Sequence, residues 1–258
     1  MFAQLFECII KKFLPGYFFQ ARLTPSLLGF MAFYLQINID LNSALHSLAQ
    51  LTQGPVEAIL FELFIHCSLS IGFVILLLPL SVSLGRHFIE RIYFPKGEIS
   101  MPTAYLLLEN NGKMAPSIKQ KIRQLFKREF DIRLLSEEKE RSDPESQLRL
   151  IVEAVRQVRE RTRSNSILLG KNIRYGALRN FLGAFCCCST LMSILLIFST
   201  LSPISLIMWL LETVFSVFAI LLYKNVAEDY AVSLFTVFLS QNLQHEKKKK
   251  EKRALSFG

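Results

Sequence analysis

The chain has 258 residues, of which 51% are hydrophobic and 20% are charged, and 22 are phenylalanine. This composition excludes an ordinary soluble globular domain and implies that apolar and charged residues lie in separate blocks. The net charge of +9 is concentrated between Arg86 and Arg179 and in the tail from Lys247 to Arg253. By the positive-inside bias, both regions are expected to face the cytoplasm.

The N-terminal third of the chain is predicted to associate with the membrane, first at its surface and then across it. Residues 23–92 are predicted to form a first transmembrane hairpin. Its first span, Leu23–Ile39, also suits an interfacial or re-entrant helix, whereas its second, Leu63–Leu84, is strongly apolar and is followed at once by basic residues. Residues 1–22 are predicted to form an amphipathic helix at the membrane interface, with Phe2, Leu5, Phe6, Ile9 and Ile10 on one face.

Residues 93–172 are predicted to form a small α/β unit in the cytoplasm. Residues 102–108 and 132–135 are predicted to be strands, because apolar and β-branched residues there are bounded by turn signals. Helices are expected after Pro116 and after Pro144, each with apolar residues at helical spacing. A unit of this size buries little core by itself, so it is expected to dock on the membrane or on a copy of itself.

Residues 173–224 are predicted to form a second transmembrane hairpin. The spans Phe181–Leu201 and Ile204–Tyr223 are each long enough to cross a hydrocarbon core of about 30 Å. Residues 225–258 continue as an amphipathic helix and a basic tail. The predicted fold class is therefore a mainly α membrane protein, with four transmembrane helices in two hairpins, a small α/β cytoplasmic unit between them and both termini in the cytoplasm.

Glu212 lies near the middle of the last span. A carboxylate at that depth is costly unless it is protonated, paired or hydrated, and such residues often mark ion pathways. Two interpretations stay open: Glu212 lines or seals a polar seam or pore, or it is a neutral, hydrogen-bonded structural group.

Glu62 and His66 stand four residues apart, on one helical face near the outer end of their span. They are candidates for a proton or cation relay, and the alternative is a polar cluster that packs the bundle. No metal site is predicted, because such a site would need at least a third ligand.

The loop after the first predicted strand and the basic helix that follows it are candidate binding regions. A loop between a strand and a helix start can present free backbone N–H groups to an anion, although a plain connecting turn is the alternative. The basic helix face suits an acidic partner. The candidate residues are Asn111, Gly112, Lys113 and Lys119 for an anion or ligand, and Arg123 and Lys127 for a partner.

Enzyme signatures are missing from the sequence, which has no Walker-type loop, no Gly-x-Ser-x-Gly elbow and no His-Glu-x-x-His pair. The five cysteines lack zinc-type spacing and are expected to be reduced core residues. Direct nucleic-acid binding by the basic tail is not expected, because the tail lacks interleaved aromatic residues. The sequence predicts a non-catalytic protein without a cofactor.

The apolar spans Leu63–Leu84, Phe181–Leu201 and Ile204–Tyr223, with the basic block between them, resemble in layout the small multipass membrane effectors of bacterial anti-phage defence systems. The resemblance implies a homo-oligomer in the inner (plasma) membrane that a cytoplasmic ligand or partner protein gates, and that acts as a channel or disrupts the bilayer. The alternative is a non-catalytic scaffold whose basic unit recruits a protein or a nucleic-acid-bound partner. A secondary transporter is less favoured, because four spans with short loops leave little substrate cavity.

Overall fold

A computed structural model describes residues 16–49, 55–198 and 201–255, which are mainly helical, so the mainly α fold class is confirmed. The amphipathic helix predicted for residues 1–22 lies for the most part outside the described residues. Two π-helical turns lie at Phe19–Leu23 and Gly85–Ile89, and a 3₁₀ turn lies at Gly97–Ser100. In chain order the α-helices are α1 (Gly16–Phe18), α2 (Thr24–Gly29), α3 (Met31–Ala49), α4 (Pro55–Leu84), α5 (Glu90–Tyr93), α6 (Pro102–Tyr105), α7 (Pro116–Phe130), α8 (Glu137–Ser142), α9 (Pro144–Thr162), α10 (Ser166–Phe198) and α11 (Pro203–Leu255).

The chain divides into two compact units. The apolar unit comprises Met1–Ile92 and Gly176–Tyr223, and the charged unit comprises Tyr93–Tyr175 and Lys224–Gly258. Each unit is therefore assembled from segments that are distant in the sequence, and α10 and α11 each supply residues to both units.

Within the described residues, three helical stretches are long and apolar enough to cross a membrane: Ser70–Tyr93, Ser166–Ile197 and Pro203–Lys248. They contain or overlap the last three predicted spans. Water does not favour a continuous surface of large apolar side chains, whereas lipid accepts one. The chain is thus compatible with a membrane protein. The exposed apolar side chains of α11 include Ile207, Leu210, Phe215, Phe218 and Leu221.

The segment Leu23–Ile39 is not one of these three stretches. Its helix is interrupted at Phe30, where φ is −108° and ψ is 3°, and this residue separates α2 from α3. With only six residues, α2 is too short to span a bilayer, and α3 carries polar residues such as Gln36 and Asp40. Length and composition therefore do not support four spanning helices.

Small residues bring the helices of the apolar unit into backbone contact. A Cβ built on Gly183 of α10 would lie 2.3 Å from the carbonyl oxygen of Ser81 and 2.6 Å from the amide nitrogen of Gly85. A Cβ on Gly29 would lie 2.7 Å from the Cβ of Ala184. Close approach of this kind lets helices associate in lipid, where the hydrophobic effect between helices is missing. The buried cluster beside these contacts contains Phe30, Ala32, Ala184, Cys188 and Met192.

The charged unit has a hydrophobic core built from α7, α9 and the second half of α11. The ring of Phe126 lies 6.0 Å from that of Phe130 and 6.1 Å from that of Phe238, measured between centroids. Because Phe238 belongs to α11, the amphipathic helix predicted after residue 224 packs into this core. The fully buried members of the core include Leu106, Leu107, Ile122, Ile151, Val158, Leu234 and Phe235.

The described residues of the charged unit contain no strand, so the predicted α/β architecture is wrong. Pro102 begins the short helix α6, and proline suits the first turn of a helix. Residues 131–136 are irregular. There the N–H of Leu135 donates to Oε1 of Gln147 at 2.8 Å, and the carbonyl oxygen of Leu135 accepts from Arg123 at 3.1 Å. Side chains thus satisfy backbone groups that a neighbouring strand would otherwise have paired.

Gly183→Ala is expected to destabilise the apolar unit, because the new Cβ would meet backbone atoms that have no room to move aside. The matched control is Gly72→Ala on α4, where nothing lies within 4 Å of the added Cβ. Helix propensity predicts that this control is neutral or stabilising by up to about 1 kcal/mol. Thermal unfolding of both variants in lipid nanodiscs checks the prediction, and equal unfolding temperatures would contradict it.

Candidate functional site at a helix break

The break between α2 and α3 leaves backbone N–H groups at the start of α3 without helical partners. A side chain from another helix satisfies one of them: the N–H of Ala32 donates to Oε1 of Glu212 at 2.8 Å. Glu212 lies on α11 and is 4% exposed, and Ala32 is fully buried. The carboxylate therefore caps α3 from a distant segment, at the helix end where the macrodipole favours negative charge.

The second oxygen of this carboxylate contacts α10. The Sγ of Cys188 lies 3.5 Å from Oε2 of Glu212, and both Cys188 and Ala32 belong to the buried apolar cluster of this unit. Ser216, one turn further along α11, is 2% exposed, and its Oγ has no hydrogen-bond partner in the part of the chain that the structure describes. Glu212 is thus a polar group inside an apolar interior.

Other hydrogen bonds follow residues 21–36 along the bundle. The Nδ2 of Asn180 donates to the carbonyl oxygen of Ala21 at 2.6 Å. At the other end of the segment, Oε1 of Gln36 accepts from the N–H of Ser202 at 2.9 Å. This segment is therefore hydrogen-bonded at one end to Asn180 on α10 and at the other to Ser202, which directly precedes α11.

An ion pair joins α5 to α10 next to Asn180. Nη1 of Arg179 lies 2.8 Å from Oε1 of Glu90, and the two side chains are 10% and 17% exposed. A buried pair of this kind is costly to break, because the remaining charge loses its partner without regaining water. The pair therefore holds α5 against this end of α10.

The three intramembrane polar residues predicted from the sequence have different outcomes. Glu212 takes part in a hydrogen bond between helices, and its role in a pore stays a prediction. Glu62 and His66 lie on α4, but their side chains are outside the described part of the structure, so the relay also stays a prediction. No group of three His, Cys, Asp or Glu residues within the described ranges is placed to hold a metal ion.

At the predicted anion loop, the two ammonium groups are engaged within the chain. Nζ of the buried Lys119 donates to the carbonyl oxygens of Leu108 and Asn111, each at 2.5 Å. Lys113 pairs with Glu228 at 2.5 Å, while its backbone N–H donates to Oδ1 of Asn111. Gly112 lies exposed in this turn. Anion binding stays a prediction, and the geometry favours a turn that is held by its own lysines.

Besides its ion pair with Lys113, Glu228 accepts a hydrogen bond from a tyrosine. Oη of Tyr105 donates to Oε1 of Glu228 at 3.1 Å. Burial, together with the charge of Glu228, raises the pKa of Tyr105 to about 12. Tyr105 therefore remains a protonated donor throughout the physiological pH range.

The two residues of the predicted partner face differ in exposure. Arg123, whose side chain is 16% exposed, pairs with Glu140 at 2.6 Å, whereas Lys127 is exposed. Glu140 also accepts from Nε2 of Gln147 at 3.0 Å and from the N–H of Glu109 at 2.7 Å. This buried network was not predicted, because Glu140 stands among charged residues that have the pattern of a solvated loop.

Comparisons with protein families, curated proteins and solved structures found no match for this chain.

Glu212→Leu is expected to destabilise the apolar unit by about 1–3 kcal/mol, because it leaves the buried N–H of Ala32 without an acceptor. Glu212→Gln keeps an acceptor oxygen, so we expect a smaller loss. Ser216→Ala serves as a buried control on the same helix that breaks no described hydrogen bond. Thermal unfolding in nanodiscs ranks the variants, and a Leu variant as stable as the Ser216→Ala control would contradict the capping role.

Proposed function

We propose that this protein is a non-catalytic, homo-oligomeric membrane effector of the inner membrane. Its apolar unit forms a channel or disrupts the bilayer, and a cytoplasmic ligand or partner protein gates it through the charged unit. The observation that carries the proposal is the interrupted helix capped by Glu212 inside the apolar unit. The layout resemblance makes anti-phage defence the proposed setting.

Broken helices have a particular significance at membrane depth. Non-helical backbone is tolerated there only where protein buries it or where it lines a water-filled cavity. In transporters, the ends of discontinuous helices form the sites of ions and substrates. In the described structure, Glu212 is buried, and its carboxylate accepts a hydrogen bond from the N–H of Ala32. The arrangement corresponds to a closed state, which opens when the carboxylate releases the end of α3.

The contacts of residues 21–36 support a fourth crossing made by this broken helix. The segment contacts Asn180 at one end and Ser202 at the other, and those two partners lie about 22 residues apart along the chain, which as a helix would be long enough to cross a bilayer. With this crossing, the charged unit, the basic tail and the N-terminus lie in the cytoplasm, as the positive-inside bias favours.

A crossing segment places Ser43 outside and the N-terminus inside. Single cysteines at Gln4, Ser43 and Ser142, introduced into a chain whose native cysteines are replaced, test this with a membrane-impermeant maleimide on intact cells. We expect labelling at Ser43 alone, and labelling at all three sites after permeabilisation. Labelling of Gln4 and Ser43 from the same side would contradict the fourth crossing.

Ion flux tests the effector itself. Wild-type full-length protein in liposomes is expected to show low flux, and Glu212→Leu is expected to raise it. Loss of a buried hydrogen bond worth about 1–3 kcal/mol shifts a closed-to-open equilibrium by about 5- to 150-fold. Ser216→Ala is the matched control and is expected to behave as wild type.

Extract from phage-infected cells, added to the wild-type liposomes, supplies the gating signal in a second arm. Flux that rises with the extract would support a gated effector. If folded Glu212→Leu protein and extract-treated wild type both remain without flux, the channel proposal is rejected. A membrane scaffold then becomes the better account, for which the charged unit offers a docking surface.

A further inference from the structure

The charged unit has an open groove between α7 and the last part of α11. The groove has a volume of about 440 Å³, and its walls come from both helices. On α7, the lining residues include Ile118, Lys121 and Leu125. On α11, they include Leu239 and Leu243. Residues at spacings of three and four form one ridge on each helix, so the groove runs between two parallel rows of side chains.

The floor of the groove is apolar. Leu125 and Leu239 pack against the core of the charged unit, and nearer the opening Ile118 is 40% exposed and Leu243 is 57% exposed. Exposed apolar surface that continues a hydrophobic core is a usual feature of a binding groove. An amphipathic helix, which has a row of apolar side chains along one face, fits a groove of this form.

The rim of the groove is basic. Lys121, which lines the groove on α7, is exposed, and the exposed Lys247 and Lys248 directly follow the lining residue Glu246 on α11. The one described acidic group in the lining, Glu246, is already paired with Arg128. The field around the opening is therefore positive, and it favours a partner with acidic residues beside its apolar stripe.

We propose that this groove binds an amphipathic helix of a partner protein, with leucine-like residues at helical spacing flanked by glutamate or aspartate. The inference does not depend on ion flux by the apolar unit. A second copy of the chain is disfavoured, because its charged unit carries the same basic rim and like charges would meet. Nucleic acid is disfavoured because the groove lining that the structure describes offers no aromatic ring for base stacking.

The test uses full-length protein in phosphatidylcholine nanodiscs and two fluorescent peptides of about 18 residues, long enough for a helix of several turns. Both peptides carry leucines at i, i+3, i+4 and i+7, and the flanking positions are glutamate in one and lysine in its twin. We expect the glutamate peptide to bind at least about tenfold more tightly by fluorescence anisotropy, and its advantage to fall as salt rises. Equal binding of the two peptides would overturn the proposal.

Variants locate the binding surface. Leu243→Asp and Ile118→Asp are each expected to weaken binding of the glutamate peptide by at least about tenfold. Each substitution places a negative charge on the apolar surface near the opening, and that charge also repels the peptide. Val232→Asp changes an apolar residue on α11 that is 41% exposed and does not line the groove, and it is expected to bind as wild type. Circular dichroism confirms that the variants are folded.

Two other outcomes would reject the partner helix. In the first, vesicles that contain phosphatidylglycerol displace the labelled peptide as effectively as unlabelled peptide does. That result would assign the groove to a lipid surface. Self-association that Leu243→Asp abolishes, measured by sedimentation in the absence of peptide, would assign it to a second copy of the chain. A Leu243→Asp variant that binds the peptide as wild type does would also overturn the proposal.

Discussion

The hydrogen bond from the N–H of Ala32 to Glu212 is the interaction on which the apolar unit depends. Lipid and apolar side chains offer no partners to a backbone N–H group, so an interrupted helix is stable there only if another segment supplies an acceptor. Glu212 supplies it across 180 residues of sequence. The same contact explains how a carboxylate is retained in an apolar interior: it is hydrogen-bonded and lies at a positive helix end.

The charged unit obeys the same requirement with different groups. Its loops carry backbone carbonyl and N–H groups that no strand pairs in the described residues, and buried or partly buried side chains satisfy them. Lys119 serves three carbonyl oxygens, while Arg123 and Gln147 serve the two backbone groups of Leu135. Two charged residues of α7 thus stabilise the fold, whereas Lys121 of the same helix is exposed where it lines the groove.

The two units are each held together by different kinds of contact. In the apolar unit, contacts at Gly29 and Gly183 bring the helices closely together, and the carboxylate of Glu212 caps the break between α2 and α3. In the charged unit, a helical core is bordered by an open groove between α7 and α11. The last two helices supply residues to both, so a change in one unit has a covalent path to the other.

The sequence alone determined the class of the protein. Long apolar runs and segregated basic residues predicted the charged block and the three helices that are long and apolar enough to cross a membrane, because these signals are local and do not depend on packing. The same signals also predicted a fourth span at Leu23–Ile39, which length and composition do not support. Pro102, Pro116 and Pro144 each begin a helix. The run after Pro102 also has strand propensity, and the packing of the helical core around it determines that it forms a helix. Local propensity is a weak determinant when tertiary contacts compete with it.

Glu212 was identifiable from its type and depth alone, whereas its partners were not. Ala32, Cys188 and Glu212 come from three helices, and no spacing rule connects residues so far apart. Likewise, Lys119 and Arg123 share a basic helix face with Lys127, yet only the folded chain shows that the first two turn inward to backbone carbonyls and Glu140. Tertiary structure decides such roles, because burial and the supply of hydrogen-bond partners depend on which segments meet.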